Sequence, residues 1–98
     1  MISLGTATLI DRGQRYPVHA ALTWHGETAW HGILGGRLDW ESLSGRPLTL
    51  EVPPTLGPSA DGIVTDVTVE AVLDNEVRAS GARITRPVRR RLGVFTSR

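Results

Sequence analysis

The sequence predicts an all-β fold, a small six-stranded, mostly antiparallel barrel or sandwich followed by a basic C-terminal segment. Three observations predict it. In residues 62–73 the side chains of Ile63, Thr65, Val67, Val69, Ala71 and Leu73 alternate with a more polar set, the two-residue period of a strand with one buried face. Glycine-, proline- and Asp/Asn-containing breaks cut the rest of the chain into short segments of strand length. No 3.6-residue apolar pattern of useful length competes with them.

Taken in order, residues 6–10 and 15–24 flank Asp11-Arg12-Gly13-Gln14, a hairpin break in which Gly13 supplies a positive φ. In the second run Tyr16, Val18, Ala20, Leu22 and Trp24 share one face, which leaves His19 and Thr23 on the other. Residues 30–38 form a third strand, interrupted by Gly32, Gly35 and Gly36, where a bulge or sharp bend is expected. Residues 39–43 have room for one helical turn, and Leu48, Leu50 and Val52 mark a short fourth strand. Residues 53–61 hold three prolines and a glycine and read as an exposed loop. After the long strand, Asp74-Asn75-Glu76 is a turn and residues 77–85 the last strand. Val77 and Ala79 share a parity that Ile84 does not, so a bulge near Gly81 is expected. The domain boundary falls after Pro87, giving a barrel-like unit at 1–87 and a basic segment at 88–98.

Composition narrows the functional classes. The 98 residues, 40% hydrophobic and 21% charged, suffice for one core. The absence of cysteine excludes disulfides, a thiolate nucleophile and cysteine-ligated metal centres. All eleven basic residues are arginine, so lysine chemistry is excluded too. No apolar run approaches the length of about 18 residues that a membrane helix requires, and a cytoplasmic protein with no membrane partner is expected.

Charge is distributed unevenly. Residues 1–76 carry ten acids against four arginines, net −6, and residues 77–98 carry seven arginines and no acid, net +7. Arg86, Arg89, Arg90, Arg91 and Arg98 form a basic patch suited to phosphates or an acidic protein surface. The alternative is that this tail folds over the acidic strand bearing Asp66, Glu70, Asp74 and Glu76.

Trp24-His25-Gly26 and Trp30-His31-Gly32 repeat a tripeptide across a turn, bringing His25, His31 and Glu27 into one neighbourhood. Their spacing is specific to no metal, and neither a metal nor a cofactor is expected. Asp39, Glu41 and Glu27 are carboxylates in polar turns with no spacing that selects a reaction, so no catalytic residue is assigned. Trp24 and Trp30 are expected in the core. Trp40, between Asp39 and Glu41, is the tryptophan expected to be exposed, and Trp30, His31 and Trp40 are the residues that would line a ligand pocket if there is one.

Gly5-Thr6-Ala7-Thr8-Leu9, Gly13, Tyr16-Pro17-Val18, Leu22 and Trp30-His31-Gly32, with the ending Ser80-Gly81-Ala82-Arg83-Ile84-Thr85-Arg86-Pro87, resemble a small actinobacterial all-β domain of unknown function, found alone or attached to flavin-dependent oxidoreductases. Ile33 stands where that family's motif has arginine, and the last strand has one glycine in place of two. The resemblance implies an all-β fold and an accessory role, and it carries over no catalytic residue. The expected function is a non-catalytic binding or protein-interaction module, acting as an accessory subunit or homo-oligomer. Nucleic-acid binding through the arginine cluster, or a small-ligand carrier or enzyme, are the alternatives.

Overall fold

The computed structural model describes residues 2–84. Six antiparallel strands, β1 (Ile2–Asp11), β2 (Gln14–His25), β3 (Ala29–Gly35), β4 (Leu48–Val52), β5 (Ile63–Val72) and β6 (Glu76–Ala82), close into a barrel in the order β1-β2-β3-β6-β5-β4. The single helical turn α1 (Trp40–Leu43) lies between β3 and β4. Among the described residues no helix is long and apolar enough to cross a membrane.

Strand phase follows the alternation of side chains. On β2, Val18, Ala20, Leu22 and Trp24 are buried and His19 and His25 exposed, as the sequence pattern requires. On β5, Ile63, Thr65 and Val67 are buried before a register shift between Val69 and Ala71. The expected bulge near Gly81 is therefore on the neighbouring strand instead. Gly81 keeps the inward parity of Val77 and Ala79, because a Cβ there would overlap the Asp66 carbonyl and crowd the Trp30 indole. Beyond Ala82, Arg83 forms an isolated bridge to Thr65 and the Ile84 N–H donates to the Val64 carbonyl.

The connections are built from local chemistry. Arg12 and Gly13 both have positive φ, 51° and 83°, so the β1–β2 link is a two-residue turn of the kind whose twist matches the flanking strands. Strand β3 stops at Gly35, earlier than the pattern suggested. From there Gly36 donates its N–H to the Asn75 carbonyl of the β5–β6 turn. Asp39 then caps α1, its Oδ1 accepting the Ser42 N–H at 3.3 Å.

The core holds all three tryptophans. Trp24 and Trp30 are direct register partners on β2 and β3 and point inward together. The Trp30 indole N–H donates to Thr65 Oγ1 at 2.9 Å, and the Thr65 hydroxyl reaches the Ala82 carbonyl at 2.8 Å. Trp40, expected to be exposed, is buried: α1 turns it and Leu43 under one end of the barrel, and its indole N–H donates to the Gly36 carbonyl at 3.1 Å. Its acidic neighbours are no guide, because successive residues of a helical turn point about 100° apart, so Asp39 and Glu41 stay exposed while Trp40 is buried.

Replacing Thr65 with the isosteric valine leaves a buried indole N–H without its acceptor, and the expected loss is about 1–3 kcal/mol. Gly81→Ala, which forces a methyl group into backbone and indole, is expected to cost a similar amount or to prevent folding. Urea unfolding followed by tryptophan fluorescence measures both. An unchanged midpoint for either variant would contradict the packing described.

Candidate functional site

Residues proposed from the sequence to line a pocket are placed apart. Trp30 is sealed in the barrel, His31 is the next residue on β3 and so points outward, and Trp40 sits under the far end. The structure does not bring these three together. The basic patch of Arg86, Arg89, Arg90, Arg91 and Arg98 lies outside the described residues, as does the boundary after Pro87.

Both ends of the barrel are closed by its own side chains. At one end stand Trp40 and Leu43 of α1. Near them Asp11, at the end of β1, is buried and its Oδ2 accepts from Arg46 Nη1 at 2.8 Å, while Oδ1 has no partner among the described residues. At the other end the 53–61 loop, mostly at the surface as expected, turns one residue inward. Leu56 is buried beside Gly5, and its carbonyl accepts the Trp24 indole N–H at 2.9 Å. A side chain at residue 5 would collide with Leu56, so the glycine makes room for this stopper.

The apolar surface that remains is on the outside. Ile2 and Leu4 are 68% and 73% exposed, and Ile33 is 38% exposed. Register sets Leu4 opposite Ala21 and Ala21 opposite Ile33, so one row crosses β1, β2 and β3 as large, small, large. The small side chain in the middle leaves a shallow groove of about 320 Å³, walled by Leu4, His19, Ile33 and Glu76. The same flap has an open edge. Strand β1 pairs with β4 only at Thr8, Leu9 and Ile10, and residues 2–7 have no strand on that side. A second concavity, of about 470 Å³, opens at this divergence between Thr6 and Thr8 on β1 and Glu51 and Val64 on β4 and β5.

Sequence reasoning passed over Ile2, Leu4 and Ile33. A signal for them exists: Ile2 and Leu4 stand in the opposite phase to Ala7 and Leu9 on one strand, so if the latter face the core the former cannot.

On the same outer surface, at the β2–β3 hairpin, His25 and His31 come within hydrogen-bond distance, Nε2 to Nδ1 at 2.5 Å. Glu27, in the intervening turn, does not complete a cluster with them. Among the described residues no group of three or more His, Cys, Asp or Glu side chains is gathered. Other surface polar contacts include an ion pair between Arg15 and Glu51 and the Asp66 carboxylate accepting the Ala82 N–H.

No family model matches this chain, and neither does any curated protein or solved structure.

The stopper contact has a measurable consequence. Trp24→Phe removes the donor to the Leu56 carbonyl, and residues 53–61 are expected to become cleavable under limited proteolysis at a rate at least several-fold above the parent chain. Equal cleavage rates would show that the loop is held by something other than this indole.

Proposed function

We propose that this domain is a non-catalytic interaction module that associates with a second copy of itself through the outer face of β1, β2 and β3. The observation that carries the reading is the row Leu4, Ala21 and Ile33, two exposed branched aliphatics flanking an alanine on neighbouring strands. Folded proteins place such side chains outside singly without consequence, but grouped on one sheet face beside an open strand edge they mark a contact surface. Two features favour a like partner. The face carries both a protruding Leu4 and a groove floored by Ala21, so a two-fold axis seats the knob of one copy in the groove of the other, as an isologous interface requires. The ionisable groups lining that groove are one imidazole and one carboxylate, His19 and Glu76, so the face is not of a single charge sign.

Fully burying an exposed large aliphatic side chain contributes about 1.5–3 kcal/mol, so Leu4 and the exposed part of Ile33, doubled by symmetry, are comparable with the lower estimates of the entropy cost of association. A nucleic-acid partner is supported less well. The described residues carry ten acids and six arginines, net −4, so a polyanion is repelled by the barrel and drawn only to the segment beyond it.

Light scattering coupled to gel filtration, with sedimentation velocity over a concentration series, tests the reading. The expected result is a dimer that Leu4→Arg and Ile33→Glu each convert to a folded monomer, recognised by an unchanged far-ultraviolet spectrum, because both side chains point away from the barrel interior. A parent chain that remains monomeric at every concentration, or a dimer indifferent to both substitutions, would refute it.

A further inference from the structure

We infer that two copies of this chain meet in one defined register, in which Ile33 of each fills the gap above Gly35 of the other and Arg78 of each pairs with Glu76 of the other. The inference rests on the self-association proposed above and adds what selects a like copy over other apolar partners.

Strand register places the residues concerned. Leu4, Ala21, Ile33 and Arg78 form one row across β1, β2, β3 and β6, and Thr6, His19, Gly35 and Glu76 form the next, two residues along each strand. Both rows face outward, because Leu4, His19, Ile33 and Arg78 are exposed and strand alternation carries their phase to the others. The groove runs along these rows, from Leu4 and Thr6 on β1 to Glu76 on β6.

Gly35 is a gap in the second row, between the imidazole of His19 and the carboxylate of Glu76. Its φ is not positive, and a Cβ built there would come no closer than 3.7 Å to a neighbour. Neither the backbone nor the packing of the described chain therefore requires glycine at this position. Gly32 and Gly81 differ, since a Cβ at either would overlap a backbone carbonyl oxygen. The gap at Gly35 is space left on the surface, and Ile33, one place away in the first row, is an exposed aliphatic side chain of a size to enter it.

A two-fold axis that crosses the strands at the level of Leu34, between the rows, turns the first row of one copy onto the second row of the other. Ile33 then stands over Gly35 of the other copy, Leu4 over Thr6 and Ala21 over His19. The same operation sets Arg78 opposite Glu76, twice per dimer. Neither of these charged side chains is in an ion pair among the described residues. Aligned sheets pack about 10 Å apart, a separation that an isoleucine in a gap and an Arg–Glu pair can both span. Moving the axis by one residue in either direction sets Arg78 against Arg78 or Glu76 against Glu76. The charges thus disfavour the neighbouring registers and hold the one that the knob and the gap define.

Sedimentation velocity over a concentration series, with the full-length chain at low ionic strength, tests the register. Arg78→Glu and Glu76→Arg are each expected to weaken the dimer at least tenfold, because each sets two like-charge pairs across the axis. An equimolar mixture of these two variants is expected to form a mixed dimer within about threefold of the parent affinity, because one copy then brings two acids and the other two bases to the same positions. Gly35→Val is expected to abolish the dimer with an unchanged far-ultraviolet spectrum, and Glu27→Arg, in the β2–β3 turn, to leave it intact. A parent chain that is monomeric at every concentration overturns the self-association and the register together. A dimer that Leu4→Arg and Ile33→Glu dissociate, but that survives both charge reversals or Gly35→Val, or whose charge reversals are not rescued by mixing, overturns the register alone.

Discussion

A single indole ties three strands of this barrel together. Trp30 reaches from β3 to Thr65 on β5, and Thr65 passes the connection to the Ala82 carbonyl of β6. The indole N–H and the Thr65 hydroxyl are buried, so displacing either partner would leave the other without a hydrogen bond and away from water, at a cost. Room for the ring comes from Gly81, which has no side chain to compete for the same space. The contact thus fixes which face of β3 is inside. Since a slip of one residue exchanges the two faces of a strand, it also fixes what is outside. With Trp30 inward, His31 and Ile33 are outward; register then carries the same phase to His25 and Ala21 on β2 and to Leu4 on β1. The aliphatic row and the imidazole pair are consequences of one buried hydrogen bond.

Filling the interior has a second effect. Small barrels of this strand number can either pack side chains inside or enclose a ligand, and here three tryptophans and a ring of leucines and valines take the space. Leu56 stoppers one mouth and α1 the other. The groove on β1–β3 and the hairpin histidines lie on the exterior, within a few residues of each other.

Much of this was legible in the sequence, and the reasons differ by element. The alternation of β2 and β5 is complete enough to give both location and phase, and Arg12-Gly13 is readable because a tight turn needs positive φ. Whether the strands closed was not readable, since closure rests on three pairs between β1 and β4 that are distant in sequence. The β1 start was read too late because Ile2 and Leu4 are hydrophobic residues on the solvent side, where a pattern-based reading expects polarity. Trp40 was misjudged for the converse reason: flanking acids suggested solvent, but a capped turn buries one residue between two exposed ones. The displaced bulge reflects the same limit, because side-chain parity shows that a strand pair must shift but not which strand absorbs the extra residue. On the outer face, the sequence offered the twin Trp-His pairs but not the contact between their imidazoles, which depends on register.

The uneven closure of the cylinder sets where it can breathe. Ten residue pairs join β1 to β2, whereas three join β1 to β4. Local opening follows the path that sacrifices the fewest hydrogen bonds, so the wall parts along that short seam while the remaining sheet holds. A parted seam would lengthen the unpaired margin of β1 from its first six residues to nearly its whole length. In that transient state β1 exposes a longer ribbon of free backbone donors and acceptors to water or to any strand that meets it.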